Sequence, residues 1–374
     1  MLLEQLNRDK QGLKKQSWKR LESLLLGATI PQTSITSPTF PSMKPHALPN
    51  LPICCALILS ALFGASSRAQ TTNVPSPDTN LATVSSASYA SATNRPPDVT
   101  PTAIPGTEAM VFRKAGDTEL RLFVVKPKGW SPSDKRSCLV SFFGGGWNSG
   151  TPNNSIGYAK WAATQGMVGI APDYRTRNRF QTTPETCVTD GRAAVRWIQD
   201  HAAELGIDPT KIVSLGQSAG GHVAAWTAIS DPLNPASTFD PVPGTQPAAL
   251  ILLWPVTDTT ATGYGGPRRF DNDAARAAAL SVPLRMPAKM PPTIIFHGTG
   301  DKIVKFENSV AFQEKMKSNG NACSLTAFPD APHTPTNVPD PKGKECRMQM
   351  AEEMQKFLLG LGLIKSSEAT PVAR

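Results

Sequence analysis

The sequence predicts an α/β fold: a mainly parallel twisted sheet of about eight strands with helices on both faces. Three observations lead to it. Strand-like and helix-like segments alternate from about Met110 to Gly360. After Trp130 the strand candidates become short continuous apolar runs such as Cys138–Phe143, the pattern of strands covered on both faces. Finally, Gly216-Gln217-Ser218-Ala219-Gly220 joins one such run to a helix candidate, and functional groups in parallel sheets collect at that end of the strands.

Taken in order, Met110–Lys114 and Glu119–Lys126 alternate apolar and polar residues, as a half-buried antiparallel pair does. Cys138–Phe143 reads as a buried strand, Ile156–Gln165 as a helix and Met167–Ala171 as a strand. The plainest helix runs from Thr183 to Leu205. Thr183 can cap it and Pro184 suits its first position, while Val188, Val195, Ile198, Ala202 and Leu205 share one face and Gly206 ends it. Lys211–Leu215 is a strand, Ala219–Ile229 a helix and Ala249–Trp254 a strand. An irregular stretch follows. Then come strand Thr293–His297, helix Phe306–Ser318, strand Cys323–Phe328 and helix Lys344–Gly360. The folded domain is therefore expected over 106–365, with 366–374 a short tail.

The first hundred of the 374 residues read differently. From Met43, a lysine, the apolar stretch Leu51–Phe63 and small residues before Gln70 form the three parts of an export signal, with Ser67 and Ala69 at the −3 and −1 positions. The apolar stretch is too short for the ~20 residues that span a bilayer, so no stable membrane span is expected in the mature form. Residues 1–42 are an upstream extension, and Met43 is the favoured start. Residues 70–105, rich in Ser, Thr, Pro, Asn and Ala, are expected to be a disordered linker, because they offer little apolar surface to offset ordering entropy. Removal of the signal leaves Cys138, Cys187, Cys323 and Cys346, an even number that fits export and one or two disulfides in any of three full pairings. The expected location is secreted or periplasmic.

Charge excludes one class of partner. Of the formal net charge of +9, residues 1–69 hold +5. The remainder is ordinary surface charge with no basic stripe, so nucleic acid is not an expected partner.

The Gly216–Gly220 turn supplies the chemistry. A sharp strand-to-helix turn holds the Ser218 hydroxyl out above the sheet, and glycines two residues either side remove colliding side chains. The peptide N–H of Ala219 opens the helix and points at a developing oxyanion. Five histidines compete for the role of base. His46 lies in the signal, His201 on a helix flank, His222 in the helix that follows Ser218, and His297 at the end of a strand where it is expected to be structural. His333, in the loop after the final strand, is left. The acid is Asp301 in the Gly298–Asp301 turn, ahead of Asp258 after the preceding strand. Phe142-Phe143-Gly144-Gly145-Gly146-Trp147 follows the third strand, and the bare N–H groups of its three glycines can approach a substrate oxygen and complete an oxyanion hole with Ala219 N–H. As a nucleotide loop it fails: position 149 is Ser149, not the glycine of GxGxxG, and no GK[ST] motif exists.

With FFGGGW, APDYR (Ala171–Arg175), DGRAAVRWI (Asp190–Ile198), GQSAGGHVA (Gly216–Ala224) and PPTIIFHGTGDKIV (Pro291–Val304), the sequence resembles secreted α/β-hydrolase esterases of the hormone-sensitive-lipase-like and feruloyl/acetyl-esterase groups. The resemblance covers about Met110 to Leu363. It implies an α/β-hydrolase fold and a triad of Ser218, Asp301 and His333, with Gly144, Gly145 and Ala219 as oxyanion donors. Phe143 departs from the pattern, since many relatives have histidine there, and the histidine loop reads APHTP rather than GxGH.

The reading is a serine esterase for short-chain esters, acetyl or feruloyl groups on carbohydrate, working without metal or organic cofactor. A peptidase or lipase of the same fold and a catalytically silent binding protein are the rivals. Trp147, Gln217, Tyr264 and Arg268 are candidate substrate contacts. Trp147 either walls the acyl pocket or packs under the glycine loop, and Arg268 and Arg269 either meet an acidic group or stay solvated. The sequence leaves oligomeric state open.

Overall fold

A computed structural model describes residues 98–229, 246–264 and 269–366. The sheet has eight strands in the order β1-β2-β4-β3-β5-β6-β7-β8. In chain order these are β1 (Glu108–Ala115), β2 (Thr118–Val125), β3 (Arg136–Phe142), β4 (Val168–Pro172), β5 (Ile207–Gln217), β6 (Ala249–Leu253), β7 (Thr293–Gly298) and β8 (Cys323–Phe328). β1–β2 and β2–β4 pair antiparallel, and every later pair is parallel. The helices are α1 (Ile156–Thr164), α2 (Arg177–Phe180), α3 (Pro184–Asp200), α4 (Ala219–Trp226), α5 (Ala274–Leu280), α6 (Val282–Arg285), α7 (Phe306–Ser318) and α8 (Lys342–Gly360). This is the architecture the alternating pattern predicts.

Successive residues of the central strands alternate between two apolar layers. Leu250 and Leu252 of β6 join the layer with Val195 of α3, Val223 of α4 and Phe312 of α7. Ile251 and Leu253 join the layer with Ala162 of α1 and Met354 and Leu358 of α8. Covering both faces leaves these strands no polar side, which is why they read as unbroken apolar runs.

Several boundaries differ from expectation. α3 ends at Asp200, and turns continue to Gly206, whose φ of +64° ends them in the left-handed region. β5 is longer than Lys211–Leu215 because Ile207, opposite Arg136 of β3, is already paired. The irregular stretch contains α5, capped by the Asp273 carboxylate, which accepts from the N–H groups of Ala275 and Arg276. Residues 98–105, assigned to the linker, pack on the domain. Ile104 is buried with Phe123 and Ile156, and Asp98 accepts from Gly150 N at 2.7 Å. Residues 1–97, with the export signal and the rest of the linker, lie outside the described residues, as does 367–374.

The disulfide expectation is overturned. Cys138, Cys187, Cys323 and Cys346 are all free thiols. Cys138 and Cys187 are fully buried in one apolar cluster and act as small apolar residues, and burial pushes their thiols upward. Burial likewise pushes Cys323 up to about 12. Among the described residues, no helix is long and apolar enough to cross a membrane, and no cluster of His, Cys, Asp or Glu could hold a metal ion.

One buried ion cluster ties the antiparallel end to the parallel core. Asp190 of α3, fully buried, accepts from Arg113 Nη1 of β1 and from Arg175 through Nε, Nη2 and the backbone N–H. Removing the carboxylate takes these bonds away from two guanidinium groups. Asp190→Ala should lower unfolding free energy by about 3 kcal/mol, measured by urea denaturation; a loss below 1 kcal/mol would mean the arginines find water instead.

Candidate active site

Five strand ends build the site. Ser218 follows β5, the glycine loop follows β3, Trp254 follows β6, Asp301 follows β7, and His333 follows β8. Phe142 of β3 and Leu252 of β6 both pair with Gly216 of β5, which brings these ends to one level.

Ser218 sits at φ +54°, ψ −122°, a strained conformation for a residue with a side chain. Its N–H donates to Leu253 O at 2.9 Å, and its carbonyl accepts from Val256 N at 3.0 Å, so the neighbouring strand end holds the turn. The sharpness of the turn forbids side chains beside it. A β-carbon on Gly216 would lie 2.0 Å from Gly220 O, and one on Gly220 would lie 2.2 Å from Phe143 O.

The Ser218 hydroxyl lies 2.9 Å from His333 Nε2, and His333 Nδ1 lies 2.7 Å from Asp301 Oδ2. A carboxylate only accepts, so Nδ1 bears the proton and Nε2 is left to accept from Ser218 Oγ–H. Burial pushes the Asp301 pKa up. The opposing hydrogen bonds from His297, His333 and the N–H groups of Ile303 and Val304 win, holding the carboxyl well below the usual carboxylate range. Asp301 therefore stays ionised.

Gly144 packs against the elbow, where a β-carbon would meet Gln217 O at 3.0 Å and Ser218 Cβ at 3.3 Å. Among the described residues no acceptor takes the N–H of Gly144, Gly145 or Ala219. Gly144 and Gly145 line the same cleft as Ser218, and Ala219 directly follows it at the start of α4. APDYR supplies an anchor for the loop. The Phe143 ring stacks on Tyr174 with centroids 3.9 Å apart, and Tyr174 Oη–H donates to Phe143 O at 2.5 Å. Arg269 Nη1 donates to Gly146 O at 3.0 Å, and its Nη2 donates to Tyr264 Oη at 2.7 Å.

A cleft of about 590 Å³ opens over Ser218, lined among others by Asn154, Tyr158, Gln217, Trp254, Tyr264 and Ile303. Gln217 and Tyr264 are thus where substrate contacts were expected. Trp147 is not: it is buried under the glycine loop, edge-on to His222 at 5.1 Å. Arg268 lies outside the described residues, while Arg269 is engaged by the loop rather than solvated. His222 is fully buried, and burial lowers its pKa to about 4 against the opposing bond to Leu280 O, so it packs neutral beneath the elbow. His201 stacks on Trp197, away from the cleft residues. Asp258 accepts from Thr260, Thr262 and Ser281 and organises its own turn, with no bond to His333.

Sequence reasoning did not single out Trp254 or Tyr158. Trp254 ends the strand next to the nucleophile at φ +37°, and its place at a carboxyl strand end was the available signal. Tyr158, from α1, had no such signal, because its helix had to be docked first.

Comparison with known proteins follows this geometry. A family model described as BD-FAE matches residues 127–261. An acetylxylan esterase of Xylanibacter ruminicola is 26% identical over 212 residues, 52% of this chain and 40% of the relative. The carboxylesterase NlhH of Mycobacterium tuberculosis is 34% identical over 103 residues, 26% of this chain and 31% of the relative. The chain spans about half or less of the length of these curated relatives. A solved structure is matched nearly whole: the propionate-bound esterase Est2 of the planctomycete Thermogutta terrifontis is 37% identical, covering 70% of this chain and 96% of that one, with a TM-score of 0.63. The chain belongs to the α/β-hydrolase esterases. Est2 has also been solved with butyrate bound and phosphorylated by paraoxon.

The two candidate acids of this esterase now separate. Asp301→Asn should lower kcat by up to about ten-thousand-fold by favouring the wrong His333 tautomer. Asp258→Asn should stay within a few-fold of the parent, and steady-state kinetics that rank the two variants in reverse would remove Asp301 from the triad.

Proposed function

We propose that this chain is an exported serine esterase that hydrolyses short-chain carboxylic esters, acetyl foremost, on carbohydrate or a similarly polar alcohol. One observation carries the proposal: the Ser218–His333–Asp301 hydrogen-bond chain ends beside three open backbone donors.

In this mechanism Ser218 Oγ attacks the ester carbonyl carbon as its proton passes to His333 Nε2. The N–H groups of Gly144, Gly145 and Ala219 receive the oxyanion, and Asp301 stabilises the imidazolium. Collapse breaks the bond to the alcohol oxygen, which takes the proton from His333. Water then attacks the acyl-Ser218 ester, gives its proton to His333 and frees the acid and the serine. No cofactor enters any step.

The lining of the cleft supports the polar alcohol. Asn154, Tyr158, Gln217, Thr334 and Asn337 present amide and hydroxyl groups, against Trp254 and Ile303 on the apolar side. A long acyl chain needs a continuous apolar groove, because each buried CH₂ is worth about 0.8 kcal/mol. The acetylxylan esterase among the relatives and the propionate and butyrate bound to Est2 favour the same direction. The phosphorylation of Est2 by paraoxon supports a reactive nucleophile here too, and Ser218 is the residue we assign it to. Export rests on Met43–Ala69, with Gln70 as the mature N-terminus.

Two measurements test this. On aryl esters from acetyl to decanoyl, kcat/KM should be highest at acetyl or propionyl, and Ser218→Ala should abolish turnover and fluorophosphonate labelling at that position. A rate climbing beyond octanoyl would sink the short-acyl assignment, and a turning-over Ser218→Ala variant would sink the serine mechanism. Intact-mass analysis of exported protein should place its start at or near Gln70; retention of residues 1–60 would refute the signal.

A further inference from the structure

His297 closes β7 and is fully buried, four residues before Asp301. Its ring nitrogens make three hydrogen bonds, and Phe306 packs edge-on against the ring at 5.7 Å. Nε2 lies 2.9 Å from Asp301 Oδ2 and 2.9 Å from Val304 O, and Nδ1 lies 2.7 Å from Ser309 Oγ on α7. Both neighbours of Nε2 can only accept, so that nitrogen bears the proton. In the neutral ring Nδ1 is then the acceptor, and Ser309 Oγ–H donates to it. His333 has the opposite tautomer, with Nδ1–H on the same Asp301 oxygen.

Five side chains therefore form one chain of hydrogen bonds: Ser309, His297, Asp301, His333, Ser218. We infer that His297, set in its tautomer by Ser309, is a positioning residue that orients the Asp301 carboxylate toward His333. The inference rests on the esterase reading given above.

The reason is the count of bonds on the carboxylate. Oδ1 accepts from the N–H groups of Ile303 at 2.8 Å and Val304 at 2.9 Å. Oδ2 accepts from both imidazoles. With both oxygens doubly bonded, rotation about the Cβ–Cγ axis breaks at least two bonds at once, so the plane of the carboxylate is fixed where His333 needs it. Without the His297 donor, Oδ2 has one partner, and that partner is the one that must move a proton in every turnover. A residue that merely filled space would act differently: its loss would lower stability and leave the remaining folded enzyme with normal kcat. A positioning residue changes kcat in the folded fraction and leaves KM nearly alone, because the substrate is not touched.

Substitution with glutamine tests the donor itself. A glutamine Nε2 can take the place of the imidazole Nε2–H, whereas leucine has similar bulk and no donor. Active-site titration with a fluorophosphonate counts folded, competent enzyme, so kcat is expressed per titrated site. His297→Leu is expected to lower kcat on an aryl acetate about tenfold at unchanged KM, and His297→Gln to recover most of that loss. Ser309→Ala, which removes the tautomer restraint, should lower kcat about threefold in the parent and have no further effect in the His297→Leu background. If His297→Leu gives no folded protein, the same comparison runs on Ser309→Ala in the parent and in His297→Gln, where the glutamine needs no tautomer and the serine effect should vanish. Parent-like kcat in His297→Leu, equal losses for leucine and glutamine, or a Ser309→Ala effect that persists in His297→Gln would each overturn the inference. A parent enzyme that neither labels nor hydrolyses the aryl acetate would instead overturn the esterase reading.

Discussion

Gly220 at the start of α4 lies so close to the carbonyls of Phe142 and Phe143 that a β-carbon would come within 2.4 Å of both oxygens. The rest of the site depends on this contact. It lets the helix after Ser218 sit directly against the end of β3, so the loop leaving β3 has nowhere to go except past the serine. The hydroxyl and the N–H groups of Gly144 and Gly145 thereby come from two strands yet share one small space. The strain at Ser218 is tolerated because its N–H and C=O are both bonded to the chain around the end of β6. A larger residue at position 220 would relieve nothing and would push Ser218 away from the glycine loop after β3.

A loop with three consecutive glycines has no side chains of its own to hold it, and preorganised donors stabilise charge only if they stay in place. The restraint comes from outside. Tyr174 stacks on Phe143 and donates to its carbonyl, and Arg269 donates to Gly146 O from the far side. Tyr174 is held in turn, since its neighbour Asp173 forms a buried pair with Arg179, and Arg175 is tied to Asp190. The segments APDYR and DGRAAVRWI, which look like family signatures in the sequence, form this scaffold. Their charges are spent on holding the loop that the reaction uses rather than on the reaction itself.

How much of this was legible follows from how local each signal is. The central strands were readable because burial on both faces leaves an unbroken apolar run. The elbow was readable because its glycines and serine lie within five residues. Asp301 and His333 were found by position relative to strands, and their distance from Ser218 is a property of the sheet order, which periodicity does not contain. Trp147 stayed ambiguous in sequence, since an aromatic after a glycine loop can face the cleft or the core, and packing against His222 and Phe270 put it inside. The cysteines misled because an even count fits a disulfide framework equally well when every one of the thiols is free. Ile104 and Asp98 were lost in a polar stretch, where one buried side chain and a few hydrogen bonds are enough to order the backbone but too few to make a pattern.

Asp301 lies between two serine–histidine pairs, and the mechanism proposed above uses only one of them. Both imidazoles donate to the same oxygen, and both accept from a serine hydroxyl. The difference lies in what surrounds each serine. Ser309 is fully buried in the first turn of α7, with no approach for a substrate carbonyl. Ser218 opens onto a cleft of about 590 Å³ and has open N–H donors beside it. The His333 side chain retains 16% exposure and the His297 side chain none, so a proton on His333 can leave with an alcohol or arrive from water, while one on His297 has no outlet. The same three functional groups, repeated about one carboxylate, thus divide into a moving arm and a fixed one, and the division is made by access and backbone donors rather than by residue type.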